Sequence, residues 1–270
     1  MIAVELLKLV RSRRTWVTIL LVDSLPTLVA VLLAVTDVGP RPGTGPAFLS
    51  AVLEDGTLFP LAAMAMVLPL FLPVAVAITA GESVAGEAQA GTLRYLLIRP
   101  VGRTRLLVSK LVSVMAFVLL TVLVVAATGY VTGMLLLGQD TTGTTVTVSG
   151  TTLTGQELAW RTGLALVYAM LSMLGVASIA LFLSTLVRTP LVAALGTMAV
   201  LITSTLLLTL DAADSLRPYL LTRYWASFID LFRDPIRWDN VVSGVIQQAC
   251  YVALFLAAAW ANFATKDVTD

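Results

Sequence analysis

The sequence contains no histidine and a single cysteine, Cys250, among its 270 residues. Without histidine, serine–histidine catalysis and histidine-based metal sites are excluded, and one cysteine excludes a disulfide within the chain. The sequence also lacks the G-x-x-x-x-G-K-[ST] pattern, whose glycine-rich backbone cradles nucleotide phosphates. We therefore expect no catalytic residue, no bound metal and no cofactor in this chain.

Charged residues are scarce as well. They make up 12% of the chain, against about a quarter in an average soluble domain, whereas 58% is apolar. Runs without Asp, Glu, Lys or Arg cover 56–80, 111–139, 162–187, 189–210 and 241–265, and a sixth, 15–36, is broken only by Asp23. Each is long enough to cross about 30 Å of hydrocarbon as a helix. The pattern predicts an all-α membrane protein with six spans in one domain, 1–270.

The distribution of the basic residues predicts the orientation. With a cytoplasmic N-terminus, eleven of the seventeen Lys and Arg residues lie on the inner side, and four of the six on the outer side lie in one loop, 211–240. The positive-inside rule therefore favours cytoplasmic N- and C-termini. The net charge of +1 gives no indication of a nucleic-acid partner.

Residues 1–14 are predicted to form an amphipathic helix that lies in the membrane interface and is retained. Apolar residues fall on one side of a helical wheel, whereas Glu5 and Lys8 fall on the other. Arg11, Arg13 and Arg14 would then face lipid phosphates. The alternative is an ordinary cytoplasmic flank that happens to be rich in Arg.

Three further segments carry structural signals. Pro60, Pro69 and Pro73 predict a kinked second span, and the third span, 106–137, would be roughly 48 Å long if helical throughout. The alternating Thr and Val of 140–157 favour a small exterior hairpin over a plain loop. Aromatic and charged residues alternate in 211–240, which predicts one or two short helices re-entering the outer interface.

The segment 81–105 carries six charged residues between two apolar runs. Glu82–Ala90 favours a short helix at the membrane surface, Gly91 interrupts it, and Thr92 caps a second turn that Pro100 and Gly102 end. A simple connection needs only a few residues. The length and capping favour a docking surface, with a structural loop as the alternative.

A set of residues in this segment resembles the stretch after the second span of ABC-2 type exporter permeases, the group that contains bacitracin-, sodium- and copper-related efflux permeases of bacteria. The matching residues are Glu82, Gly86, Glu87, Gly91, Thr92, Leu93, Arg99, Pro100, Arg103 and Lys110. The plan of the whole chain is similar too: an N-terminal interfacial helix, six spans, a cytoplasmic segment between spans two and three, and outer re-entrant helices between spans five and six.

The resemblance implies that 81–105 contains a coupling helix that fits a cleft on a separate ATP-binding subunit. The residues it would contribute are Glu82, Gly86, Glu87, Gly91, Thr92, Arg94, Tyr95, Arg99, Pro100 and Arg103. The implied partners are two ABC ATPase subunits, which would bind ATP and Mg²⁺, and a second copy of this chain or a related permease. The implied location is the bacterial cytoplasmic membrane, and the chain itself would be a transport subunit and no enzyme.

Polar residues inside the predicted spans are candidates for a translocation path. They are Asp23, Thr203, Thr205, Gln247 and Gln248. An ionisable residue at membrane depth is a functional candidate, and the alternative for Asp23 is a structural hydrogen bond to a neighbouring helix. For the others, hydrogen bonding between helices is the alternative.

Three rival functions follow from the same composition. An intramembrane enzyme is disfavoured because histidine is absent and Asp23 is the one acid well inside a span. A secondary transporter is disfavoured by the shortage of intramembrane charge for ion coupling. A non-transporting membrane anchor or mechanotransmitting subunit of an ABC-type complex remains the alternative to the exporter permease.

Overall fold

The structure, a computed structural model, describes residues 2–36, 56–91, 103–137, 144–146 and 152–265. It is about 90% helical, and six of its helices are long and apolar enough to cross a membrane. These helices cover Arg13–Thr36, Phe71–Gln89, Thr104–Leu137, Gly155–Leu186, Pro190–Thr209 and Trp238–Phe263. The chain is a multi-pass membrane protein, and the predicted number of spans is confirmed.

The elements follow one another as helices with a single small hairpin. In chain order they are α1 (Ile2–Arg11), α2 (Arg13–Thr36), α3 (Phe59–Val67), α4 (Phe71–Gln89), α5 (Arg103–Thr132), β1 (Thr144–Val146), β2 (Thr152–Thr154), α6 (Gly155–Leu186), α7 (Pro190–Thr209) and α8 (Trp238–Thr265). Short 3-10 helices cover Gly56–Leu58, Asp211–Tyr219 and Trp225–Phe232, and a π-helical turn, Gly133–Leu137, extends α5.

Helix α6 is the centre of the bundle and packs against α4, α5, α7 and α8. In its most apolar stretch 61% of the residues are buried, against 28% for α2 and α7 and 22% for α8. Large apolar side chains on those three peripheral helices are exposed, for example Leu28, Leu195 and Leu254. Such faces are suited to contact with the acyl chains of a membrane, because lipid tails are as apolar as leucine.

The second span differs from its predicted boundaries. The apolar run 56–80 is divided: α3 ends at Val67, a turn contains Pro69, and α4 begins at Phe71. The predicted kink is confirmed, since proline removes a helix hydrogen bond and breaks the ladder. The predicted separate helix at 82–90 is wrong, because α4 continues without interruption from the apolar part through Gly81 to Gln89.

The end of α4 agrees with its sequence signal. Ala90 is the last residue with a helical conformation at this end, and Gly91 follows with a φ of +67°, which L side chains rarely adopt. Helix α5 begins at Arg103, three residues before the predicted start of the third span at 106. Thr92, Arg94, Tyr95, Arg99 and Pro100 lie outside the described residues.

The two predicted exterior features have the expected secondary structure. β1 and β2 pair antiparallel, with Thr145 opposite Leu153, which confirms the hairpin. The segment 211–240 contains the two 3-10 helices, and its aromatic residues Trp225, Phe228 and Phe232 are buried against the bundle. The helical part of the prediction is therefore confirmed.

Candidate functional site

A buried lysine joins three helices at the end of the bundle where α4 stops and α5 begins. Only 3% of the Lys110 side chain is exposed. Its Nζ lies 3.0 Å from Glu5 Oε1 on α1 and forms a short ion pair with Glu87 Oε1 on α4. We call Glu5, Glu87 and Lys110 the ionic triad.

The ionic triad explains why α1 lies where it does. A buried ammonium is costly unless a carboxylate pairs with it, and two carboxylates flank this one. Glu5 was predicted on the side of α1 opposite its apolar residues, and in the structure its side chain turns towards the bundle and Lys110. Leu9 is buried on the same helix, whereas Val4 and Leu7 are exposed.

Glu87 also has a different environment from the one expected of a docking residue. Its side chain is only 12% exposed and is held by Lys110 inside the protein. Glu82 lies five positions before Glu87 in α4. Its side chain is 45% exposed, and its Oε1 lies 3.7 Å from the Nη1 of Arg14 in α2. Of these two acids, Glu82 is the one accessible from outside.

A second polar contact fixes the same part of α4 to α6. The Ser184 hydroxyl donates to the Gly81 carbonyl at 2.7 Å and accepts from the amides of Val84 and Ala85 at 3.2 and 2.9 Å. The Ser184 hydroxyl thus bonds to backbone groups of one turn of α4, in addition to the hydrogen bonds within that helix. It ties α4 to α6 at the level where the apolar part of α4 ends.

Replacing Ser184 by alanine is expected to destabilise the protein by about 1 kcal/mol, because the ladder of α4 can close without the hydroxyl while the buried contact to α6 is lost. Thermal denaturation of the purified protein in detergent measures this. Ser24→Ala is the matched control, since the Ser24 hydroxyl donates to the Leu21 carbonyl within its own helix. Equal melting of the two variants would contradict the assigned contact.

Close packing against α7 holds the third side of α4. A Cβ added at Gly81 would lie 3.2 Å from both the Ala194 nitrogen and the Pro190 oxygen, so a larger residue does not fit there without a shift. Gly86 also faces Pro190, with its side-chain Cγ 3.7 Å from the added position. The last two turns of α4 are thus in contact with α5, α6 and α7, and Lys110 links them to α1.

The structure brings some of the predicted site residues together and separates others. Glu82, Gly86, Glu87 and Gly91 lie on one helix end and the turn that follows it. Arg103 begins α5. Sequence reasoning missed the pairing of Glu5 with Lys110; the available signal was a lysine two turns inside a long helix that is mainly apolar beyond it.

The candidate path residues have local polar partners. Asp23 is buried and accepts a hydrogen bond from the Thr128 hydroxyl of α5, which is the geometry of the structural alternative. Thr205 donates to the Leu201 carbonyl of its own helix at 3.0 Å, and Thr203 is exposed on α7.

Gln247 and Gln248 bind the backbone of the segment 211–240. Gln247 Nε2 donates to the Pro218 and Leu220 carbonyls at 3.0 and 2.9 Å, and Gln248 Nε2 donates to the Leu221 carbonyl at 3.1 Å. These amides hold the linker between the two 3-10 helices against α8.

Buried charge fixes the second 3-10 helix from the side of α6. Arg161 is 6% exposed, and its guanidinium donates to the Leu231 and Arg233 carbonyls at 3.1 and 3.0 Å. The Tyr168 hydroxyl donates to the Tyr224 carbonyl at 2.7 Å. Carbonyl groups that end short helices are satisfied in this way, and the segment is fixed to the bundle.

Among the described residues, no group of three or more His, Cys, Asp or Glu side chains is placed to hold a metal ion. Two acids and a lysine form the ionic triad, and the lysine occupies the position between the carboxylates that a cation would need. The ionic triad therefore fixes the helices at this end of the bundle by electrostatic attraction.

Comparison with known proteins assigns the chain to a family through a family profile. The search of curated proteins finds no match. A family profile described as "Protein of unknown function (DUF2705)" matches residues 27–269, from the middle of α2 to beyond the end of α8. That region contains Glu87 and Lys110 of the ionic triad, whereas Glu5 precedes it. Because the match covers far more than half of its length, the chain belongs to the family DUF2705.

Proposed function

We propose that this chain is the membrane-spanning permease subunit of an ATP-driven ABC exporter. In this proposal it forms the translocation path with a second copy or a related permease, in a bacterial cytoplasmic membrane, with both termini cytoplasmic. Two separate ATPase subunits bind ATP and Mg²⁺ and dock on the segment 81–105, which acts as the coupling segment. Residues 1–14 lie in the inner interface, and 211–240 re-enters the outer one.

The observation that supports this proposal most is the fixation of the α4 end. Glu82–Gln89 continues the second spanning helix without a break and is tied to α1 and α5 by the ionic triad and to α6 by Ser184. A force applied at Gly91 would therefore move four helices together. Conversion of ATP-driven closure into a rocking motion of a membrane half needs such a connection.

Asp23, Thr203, Thr205, Gln247 and Gln248 remain the proposed path candidates. The hydrogen bonds of Asp23, Gln247 and Gln248 also give these side chains a structural use. A role in transport would require those bonds to exchange during the cycle.

Co-purification with the ATP-binding subunit encoded next to the gene tests the proposal. The full chain carrying an affinity tag is expected to retain that subunit and to change its rate of ATP hydrolysis in liposomes. Arg94→Glu reverses a charge in the coupling segment and is expected to remove most of the retained subunit. Arg237→Glu, at an exposed arginine of the segment 211–240, is the matched control and is expected to retain it.

Absence of any retained ATP-binding subunit from the wild-type chain would contradict the proposal, and so would equal behaviour of the two variants. Retention of the subunit without ATP-dependent movement of any solute across sealed vesicles would favour the non-transporting mechanotransmitting subunit instead.

A further inference from the structure

A cavity of about 1010 Å³ opens at the same end of the bundle as the ionic triad. Its walls are α1, the start of α2, the last turns of α4, the second and third turns of α5 and the start of α7. The volume lies at the upper end of the range of about 300–1,000 Å³ that ligand sites occupy. Four of the five walls are formed by the ends of spanning helices, and the fifth is α1. The cavity therefore lies where the apolar bundle ends.

The charges that line the cavity balance. Three are cationic and three anionic: Lys8, Arg14, Lys110, Glu5, Glu82 and Glu87. Because Glu5, Glu87 and Lys110 pair with one another, the charges open to a ligand are those of Lys8, Arg14 and Glu82, which include both signs. A zwitterion would satisfy both signs, and this is the first argument for the class of ligand.

The charges are also separated in depth. The ionic triad is mostly buried and satisfied within the protein. Arg14 and Glu82, in contrast, are 86% and 45% exposed and 3.7 Å apart. An exposed ion pair at that distance contributes little to stability. Arg14 and Glu82 can therefore separate and bind a ligand with little loss of stability. Lys8 is exposed on α1 beside them.

The start of α7 adds a site for negative charge. Thr189 precedes the helix without a side-chain cap, and Leu191 and Val192 of the first turn line the cavity. Pro190 at the first position has no N–H, so the amides left without a partner inside the helix are those of Leu191 and Val192, and such amides favour phosphate. Lys8 and Arg14 line the same cavity as this helix start.

The apolar part of the wall indicates that the ligand has hydrocarbon chains. Ile78, Leu191 and Val192 line the cavity and are 43%, 68% and 52% exposed. They lie on α4 and α7, both of which are candidate spans. These exposed apolar residues would contact the acyl chains of a lipid, and the charged residues beside them would contact its headgroup.

We propose that this cavity binds a zwitterionic phospholipid whose headgroup carries a primary ammonium group, as in phosphatidylethanolamine. Lys8, Arg14 and the start of α7 bind the phosphate, and Glu82 accepts hydrogen bonds from the ammonium. A primary ammonium has three hydrogen-bond donors, whereas the quaternary ammonium of phosphatidylcholine has none. The cavity therefore distinguishes the two lipids through Glu82. The site does not depend on the proposed transport function, because it requires only that the chain lies in a bilayer.

Native mass spectrometry of the full chain in detergent, titrated with each lipid, tests the proposal. Phosphatidylethanolamine is expected to bind more tightly than phosphatidylcholine or phosphatidylglycerol of the same acyl chains. Glu82→Gln is expected to weaken phosphatidylethanolamine roughly tenfold while leaving phosphatidylcholine unchanged. Arg14→Gln is expected to weaken all three lipids, because each has a phosphate.

Arg13→Gln is the matched control, since Arg13 is exposed on the same helix but does not line the cavity. It is expected to bind like the wild-type chain. Arg14 and Glu82 are both exposed, so their variants are expected to fold, and an unchanged elution profile checks this. Equal binding of phosphatidylethanolamine and phosphatidylcholine, or a preference that survives Glu82→Gln, would overturn the proposal. Free phosphoethanolamine competing as well as the lipid would overturn the assignment to a lipid.

Discussion

The Lys110→Met variant is expected to be less stable than the wild-type chain by about 3–5 kcal/mol, the cost typical of removing one partner from a buried ion pair. Methionine has a similar length and no charge. It would leave the Glu5 and Glu87 carboxylates close together without a cation, each with at most a fifth of its side chain exposed. Denaturation of the purified protein by increasing amounts of SDS in mixed micelles measures the loss.

Removing the carboxylates along with the lysine is expected to restore most of that stability. In Glu5→Gln/Lys110→Met/Glu87→Gln no charge remains at the ionic triad, and neutral replacements for buried ion pairs are often tolerated. Lys8→Met is the control, because Lys8 is an exposed lysine of α1. Lys110→Met with wild-type stability would show that the ionic triad does not form, and a triple variant no more stable than Lys110→Met would show that unpaired charge is not the cause.

Detachment of α1 is a second expected result for Lys110→Met. Glu5 and the buried Leu9 hold α1 against the bundle, and Glu5 loses its partner in this variant. Trypsin is then expected to cleave after Lys8 or Arg11 faster than in the wild-type chain, at positions that are already exposed. The triple variant is expected to be cleaved at an intermediate rate, since Leu9 is unchanged in it.

The number of spanning helices was predictable because it depends on one strong local property. Stretches of about twenty residues without charge are long enough to cross a membrane whatever surrounds them. The kink at Pro69 and the turn at Gly91 were predictable for a similar reason, since proline and glycine act through the backbone of their own neighbourhood.

The extent of α4 was not predictable in the same way. Charges at Glu82 and Glu87 indicated the end of a membrane helix, but charge does not end a helix as a backbone feature does. The helix continues because Ser184, Lys110 and Pro190, all distant in sequence, provide contacts for its last turns. Tertiary contacts of this kind leave no periodicity in the sequence of α4.

The candidate site shows the same limit. Glu87 was predicted as a docking residue from its charge and position, yet its partner is Lys110, twenty-three residues away, in the same protein. Glu5 and Lys110 are 105 residues apart. A single sequence does not show which opposite charges pair in the fold. It does show where charged residues lie next to an apolar run, and so where a membrane surface is expected.

Gly133→Ala is expected to have the other large effect on stability. At Gly133 the π-helical turn at the end of α5 lies directly against the backbone of the 3-10 helix Gly56–Leu58. A Cβ at Gly133 would overlap the Gly56 carbonyl oxygen and lie 2.8 Å from the Phe59 Cβ. A clash with a flexible side chain is relieved by rotation, but a backbone carbonyl is not free to rotate away. Phe59 is fully buried, so the movement would reach the core. We expect a loss at the upper end of the ~1–3 kcal/mol typical of overpacked cores.

The matched control is Gly163→Ala in α6, where an added Cβ meets nothing within 4 Å. Alanine is favoured over glycine inside helices by about 1 kcal/mol, so this variant is expected to be as stable as the wild-type chain or slightly more stable. SDS denaturation in mixed micelles compares the two. If both glycines tolerate alanine equally, the close approach of Gly56 to the π-helical turn is wrong, and the packing of α3 against the end of α5 must differ from the one described.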